Sequence, residues 1–150
     1  MSRFTAVLLV SPLADGRTWV IRSDFGYAVG AEDSGDVIDV PIGFRTDFAS
    51  VPRLLWMVFP PWGKYGNAAV IHDYLYWAQP PQRTRRDADR IFEEAMGVLQ
   101  VSPLQRYPLY WAVSLFGWWV WWQNRRRKRK GFEKVGQALP LKSVELPLRP

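Results

Sequence analysis

The chain has 150 residues, enough for one domain with a real core, and it contains no cysteine, which excludes disulfides and thiolate metal sites. The net charge of +6 is uneven: residues 1–122 carry 11 basic and 12 acidic side chains, whereas residues 123–150 carry 9 basic and 2 acidic. The basicity therefore belongs to the C-terminal end, and a sequence pI near 9.9 says little about the folded body.

In chain order, the short opening Met1-Ser2-Arg3-Phe4 and the apolar run Ala6 to Val10 lack the pattern of a signal peptide, and residues 4–10 are expected to form a strand closed by Ser11-Pro12. Asp15-Gly16 is a hairpin turn signal, with residues 18–21 as the second strand. Residues 25–29 and 37–40 give two more strands, and Pro41-Ile42-Gly43 ends the ladder. A short helix over residues 53–58, introduced by Ser50 and Pro52, stops at Pro60-Pro61. Asn67 is the expected N-cap of the next helix, which ends at Gln79-Pro80-Pro81. Thr84 caps a helix reaching Leu99, with Ala88, Phe92, Ala95 and Leu99 in an apolar stripe. Ser102-Pro103 opens a third helix to about Gln123. The expectation is an α+β fold: an N-terminal antiparallel β-meander packed on three α-helices, with one domain over residues 1–124 and a basic, extended tail over residues 125–150.

The helix after Asn67 holds the single histidine, His72, directly before Asp73 and one turn before Tyr76. Imidazole titrates unaided near neutral pH, and a carboxylate suits calcium or magnesium. On a helix His72 and Tyr76 share a face while Asp73 points about 100° away. An imidazole that acts as a base needs a group to fix its tautomer, and Asp87 and Asp89 on the following helix both qualify. A capping or core role for the pair is the plainer alternative.

Two resemblances sharpen this. The succession Val40-Pro41-x-Gly43-Phe44-x-Thr46-Asp47-Phe48-Ala49-Ser50-Val51-Pro52-Arg53, then Pro60-Pro61-x-Gly63-x-Tyr65, Ala68-Ala69-x-x-His72-Asp73-x-x-Tyr76 and Arg86-x-Ala88-Asp89-x-x-Phe92 closely resembles the phage- and prophage-associated domain-of-unknown-function 1353 family. That resemblance implies a bacteriophage or prophage origin and no defined activity. The run from Ala68 to Tyr76 is more distantly similar to the His-Asp helix of secreted phospholipases A2, with alanines in place of paired cysteines. The bacterial members of that superfamily continue to an Asp-x-x-Phe step, here Asp89-Arg90-Ile91-Phe92. The resemblance implies His72 as general base, Asp89 as its orienting carboxylate, Tyr76 as a supporting donor and Asp73 as a calcium ligand. The glycine-rich calcium loop of those enzymes has no counterpart, since Gly63 and Gly66 lie too close to the helix. Asp47 could supply a side-chain oxygen instead, or cap the helix beginning near Val51. Arg53 is placed to pair with Asp47 or Asp73, or to bind phosphate.

Residues 107–122 carry no charge and hold five of the nine tryptophans. Sixteen helical residues span about 24 Å, short of a hydrocarbon core near 30 Å. Ala112, Val113, Phe116 and Val120 are expected to face the core. Trp118, Trp119, Trp121 and Trp122, followed by Arg125, Arg126, Arg127, Lys128, Arg129 and Lys130, have the composition of an interfacial anchor on anionic lipid. A protein interface and nucleic acid are the competing partners, the latter less favoured because no nucleic-acid motif accompanies the run. The functional expectation is a phage-associated, metal-dependent ester hydrolase of the phospholipase A2 type acting at bacterial membranes. Its rivals are a non-enzymatic virion or tail component that binds other phage structural proteins, and a membrane-peripheral accessory of lysis or DNA entry. The place of action is the virion, the host cytoplasm or the inner-membrane surface.

Overall fold

The structure is a computed structural model that describes residues 3–47 and 63–136. The expected helix over residues 53–58 and the role of Arg53 lie outside the described residues. The described elements are β1 (Arg3–Phe4), β2 (Val10–Pro12), β3 (Trp19–Ile21), β4 (Phe25–Ala28), β5 (Val37–Val40), β6 (Arg45–Thr46), α1 (Gly66–Ala78), α2 (Arg85–Val98) and α3 (Pro103–Arg129). This is the expected α+β class, antiparallel throughout.

The strands divide between two three-stranded sheets, in the orders β1-β4-β5 and β2-β3-β6. The single strand expected over residues 4–10 is two short ones, because the chain crosses between the sheets. Thr5 N–H still donates to Gly26 O at 3.0 Å in the first, whereas Leu9 O accepts from Arg22 N–H at 2.9 Å in the second. Pro12, expected to close a strand, ends β2 instead. β2 is an edge strand, where a residue without an N–H costs no ladder bond if that side faces outward. The ladder does not stop at Pro41-Ile42-Gly43 either. Gly43 takes a φ of 87°, which L side chains rarely adopt, and the chain turns back to add β6 beside β3. β5 shows the period-2 rule plainly, with Ile38 and Val40 inward and Val37 and Asp39 outward.

α1 lies at the centre. Ten of its 13 residues are buried, so it has no polar face to offer solvent. α2 packs against both α1 and α3, and α1 also meets β5 and β6. The N-cap of α1 is Tyr65 rather than Asn67: Tyr65 is buried and its carbonyl accepts from Ala69 N–H at 2.9 Å, closing the first turn upstream of the expected start. α3 continues through Arg129, so the first part of the polybasic run is helical rather than extended. Cations in the last turn complement the helix dipole there. After α3 the chain folds back, and residues 134–136 lie along residues 43–45 through a Phe44–Val135 bridge. Two backbone bonds fix it, Arg45 N–H to Lys134 O at 2.8 Å and Gly136 N–H to Gly43 O at 3.0 Å.

Thr84 caps α2 as expected, in a reciprocal capping box with Asp87. Hydrogen bonds from the Thr84 backbone N–H and hydroxyl hold the Asp87 carboxyl below its ordinary value of 3.8. Replacing Thr84 by Ala should lower stability to urea by about 1 kcal/mol at neutral pH. Because the Asp87 pKa is depressed on folding, its contribution is present above the unfolded value and is lost as pH falls through the folded one. The difference between wild type and Thr84→Ala should therefore shrink in acid, read from urea midpoints across pH.

Candidate functional site

The central side chain is Asp89, 2% exposed, on the inner face of α2. Asp87 belongs to the cap, which leaves Asp89 as the carboxylate that meets α1. Its Oδ1 lies 3.0 Å from His72 Nε2 and accepts from the Tyr76 hydroxyl at 2.6 Å. Its Oδ2 accepts from Arg85 Nη1 at 2.8 Å. Helical spacing explains the set: His72 and Tyr76 are one turn apart on α1, and Arg85 is one turn before Asp89 on α2. Arg85 also reaches the Ser114 carbonyl of α3 at 3.1 Å. A buried carboxylate is tolerable because each oxygen is paired.

This geometry fixes the imidazole tautomer. A carboxylate only accepts, so the proton between the two sits on His72 Nε2 and the neutral ring keeps its lone pair on Nδ1. His72 is fully buried, its ring 4.2 Å from the Tyr76 ring and 4.8 Å from that of Phe92, centroid to centroid. Among the described residues no group hydrogen-bonds to Nδ1. Burial first, and then the adjacent Asp89, raises the Tyr76 phenol, which therefore stays protonated and donates.

Asp73 points the other way, toward β6 and the returning C-terminal segment. Its Oδ2 accepts from the Thr46 hydroxyl at 2.7 Å, and its Oδ1 lies 3.5 Å from Lys134 Nζ. The same ammonium is 3.5 Å from Asp47 Oδ1. Burial raises the Asp73 carboxyl, with Lys134 acting against it. Burial pulls the Lys134 ammonium down, but Asp73 and Asp47 together outweigh it and hold the group above its ordinary value. The expected metal residues Asp73 and Asp47 are thus together, with a cation of the chain's own between them. Among the described residues no group of three or more His, Cys, Asp or Glu side chains gathers, whereas a calcium site takes six to eight oxygens. The donors described do not by themselves fit calcium. Beside Lys134 and Asp47 a cleft of ≈ 180 Å³ opens, lined also by Arg45 and Arg127.

Sequence reasoning brought together His72, Asp73, Tyr76, Asp89 and Asp47, and missed Arg85, Thr46 and Lys134. Arg85 had a legible signal in its spacing from Asp89. Thr46 directly precedes Asp47 in the sequence. Lys134 had none, because its approach depends on a chain reversal after α3.

The outer face of α3 differs from the expectation at two positions. Trp118, Trp119 and Trp122 are exposed by 58%, 49% and 46%, joined by Leu115 one turn and Trp111 two turns before Trp118. Trp121 instead turns inward and meets the Tyr76 ring edge-on at 5.2 Å. Phe116, expected in the core, is 60% exposed, while Ala112 and Val113 are buried and Val120 is partly buried. The basic run also divides by role. Lys128 donates to the Ala78 carbonyl at the end of α1, at 2.9 Å. Arg125, Arg126 and Arg129 line a concavity of ≈ 380 Å³ with Trp122, and the Arg126 guanidinium lies 5.5 Å from the Trp122 ring centroid.

Residues 19–113 match the family model described as "Protein of unknown function (DUF1353)". Over 99 residues the chain is 34% identical to "Uncharacterized protein y4jT" of Sinorhizobium fredii (strain NBRC 101917 / NGR234), covering 65% of this chain and 28% of that protein. The chain thus spans under a third of the relative's length. No solved structure matches it.

One glycine positions the site. A Cβ added at Gly117 of α3 would collide with the Tyr76 hydroxyl and lie 3.0 Å from its Cζ. Tyr76 is fully buried and cannot move aside freely. Gly117→Ala should destabilise the fold by about 1–3 kcal/mol through overpacking. Combining it with Tyr76→Phe should cost clearly less than the sum of the two, since the colliding oxygen is gone. Strict additivity in a double-mutant cycle would contradict this contact.

Proposed function

The chain belongs to the DUF1353 family, and on that premise we propose that it is an ester hydrolase of the phospholipase A2 type, phage-associated and working at the surface of bacterial membranes. The observation that carries the reading is the pairing of His72 Nε2 with Asp89, which leaves Nδ1 without a hydrogen-bond partner among the described residues. In this reading Nδ1 takes a proton from water as the oxygen attacks the ester carbonyl. Asp89 stabilises the imidazolium that forms, and the proton passes on to the departing alcohol. Tyr76 and Arg85 keep Asp89 from turning away. Since His72 is fully buried, turnover requires an opening that admits water and the ester to Nδ1.

The proposed place of action rests on α3. Among the described residues no helix is long and apolar enough to cross a membrane. Trp111, Leu115, Trp118 and Trp122 follow a 3.6-residue period along one exposed face, which leads into the arginine-lined concavity. Tryptophan beside clustered arginine suits the interface of an anionic bilayer, with the rings at headgroup depth and the guanidinium groups on lipid phosphate. In this reading the protein works at the host inner-membrane surface.

The full burial of His72 favours a second reading. There the dyad is a structural tie, and the chain is a non-enzymatic virion or tail component whose α3 face binds other phage structural proteins.

Two measurements separate these. Wild type should release fatty acid from phosphatidylglycerol vesicles, and His72→Gln should lower the rate at least about 100-fold with the fold intact. No release by wild type, or full activity in His72→Gln, would sink the hydrolase; purified virions holding the protein at fixed copy number, with infectivity unaffected by His72→Gln, would then support the structural reading. For the membrane, the protein should sediment with phosphatidylglycerol but not phosphatidylcholine vesicles, and high salt should release it. Changing Arg125, Arg126 and Arg129 to Gln, with Lys128 left in place to hold α1, should abolish sedimentation. Retention unchanged by salt and by these substitutions would reject the lipid role.

A further inference from the structure

We infer that Lys134 is a resident cation of the Asp47–Asp73 carboxylate pair, standing where a divalent metal would otherwise bridge them, so that the pair takes up no metal ion. The seat is built from three sides. The Lys134 ammonium is 3.5 Å from Asp47 Oδ1, 3.5 Å from Asp73 Oδ1 and 5.9 Å from the centroid of the Trp77 ring. Trp77 and Asp73 come from α1, whereas Asp47 directly follows β6.

Lys134 does not reach this place by the swing of a long surface side chain. Its residue is 6% exposed, and its backbone is pinned against residues 43–45 by the Phe44–Val135 bridge and the two flanking hydrogen bonds. The Thr46 hydroxyl donates to Asp73 Oδ2, while Asp73 Oδ1 makes no hydrogen bond among the described residues and faces the Lys134 ammonium as an ion pair. Calcium would need ligand oxygens at about 2.3–2.6 Å and would meet the ammonium's positive charge at its centre. An ammonium is the smaller charge and needs only acceptors, which two carboxylates and an aromatic face supply. Asp73 stands next to His72 in sequence, and Lys134 borders the ≈ 180 Å³ cleft with Arg45 and Arg127. The inference stands on Asp47, Asp73 and Lys134 alone and holds whether or not the site hydrolyses esters.

The test is calorimetric and thermal, so it does not depend on activity. Wild type should melt at the same temperature in EDTA and in millimolar calcium or magnesium chloride, and titration with calcium should give no single-site binding heat. Lys134→Met keeps the length of the side chain and removes the positive charge from between the two carboxylates. That variant should melt lower than wild type in EDTA and should recover by about 5 °C in saturating calcium. Adding Asp73→Asn should remove the recovery. Lys134→Arg, which preserves the charge, should remain insensitive to calcium and covers the case in which Lys134→Met does not fold. Stoichiometric calcium binding by wild type, or a Lys134→Met protein that folds and responds to no divalent cation, would overturn the inference.

Discussion

The carboxylate of Asp89 ties the helical half of the molecule together. It sits on α2, binds two side chains of α1 through one oxygen, and binds through the other an arginine that also reaches a carbonyl of α3. A buried charge left unpaired would cost several kcal/mol, so the helices cannot separate without leaving that charge exposed to an apolar interior. The positions of His72 and Tyr76 follow from this constraint. So does the tautomer of the ring, since a group that only accepts decides which nitrogen carries the proton.

α1 is consequently a two-sided element. One face delivers His72 and Tyr76 to α2, and the other delivers Asp73 to β6 and to the segment that returns after α3. The adjacency of His72 and Asp73 in sequence becomes a division in space, which a rotation of about 100° per residue requires. The two clusters balance charge differently. Asp89 relies on hydroxyl, imidazole and guanidinium donors, whereas Asp73 relies on a hydroxyl and a remote ammonium. Both solutions avoid solvent, and both depend on residues far apart in the chain.

How much of this was legible in the sequence varied with the range of the cause. Local chemistry read correctly: the Thr84 cap, the strand over residues 37–40, and the shared face of His72 and Tyr76 all follow from neighbours within one turn or one pleat. Between Asp87 and Asp89 periodicity allowed both; the resemblance of Asp89-Arg90-Ile91-Phe92 to an Asp-x-x-Phe step favoured Asp89, which is the carboxylate that meets His72, while Asp87 is held in the capping box. The division of strands between two sheets was hidden because β1 pairs with β4, across a sequence gap that alternation does not encode. Phe116 and Trp121 exchanged their expected directions because the stripe of α3 that meets the body is set by Gly117 against Tyr76, not by hydrophobicity along a helix rich in it on all sides. Lys134 read as part of a tail, since nothing near it in the chain announces the turn that carries it to Asp73.

The absence of a side chain at Gly117 has a mechanical corollary. α3 presents its aromatic ridge outward and, on its inner side, rests its bare backbone on the phenol that holds Asp89. No cushion of flexible methylenes separates the two, so a push on the ridge is borne directly by the Tyr76 oxygen. Whatever grips the outside of that helix therefore has a rigid handle on the buried acid, one atom layer away.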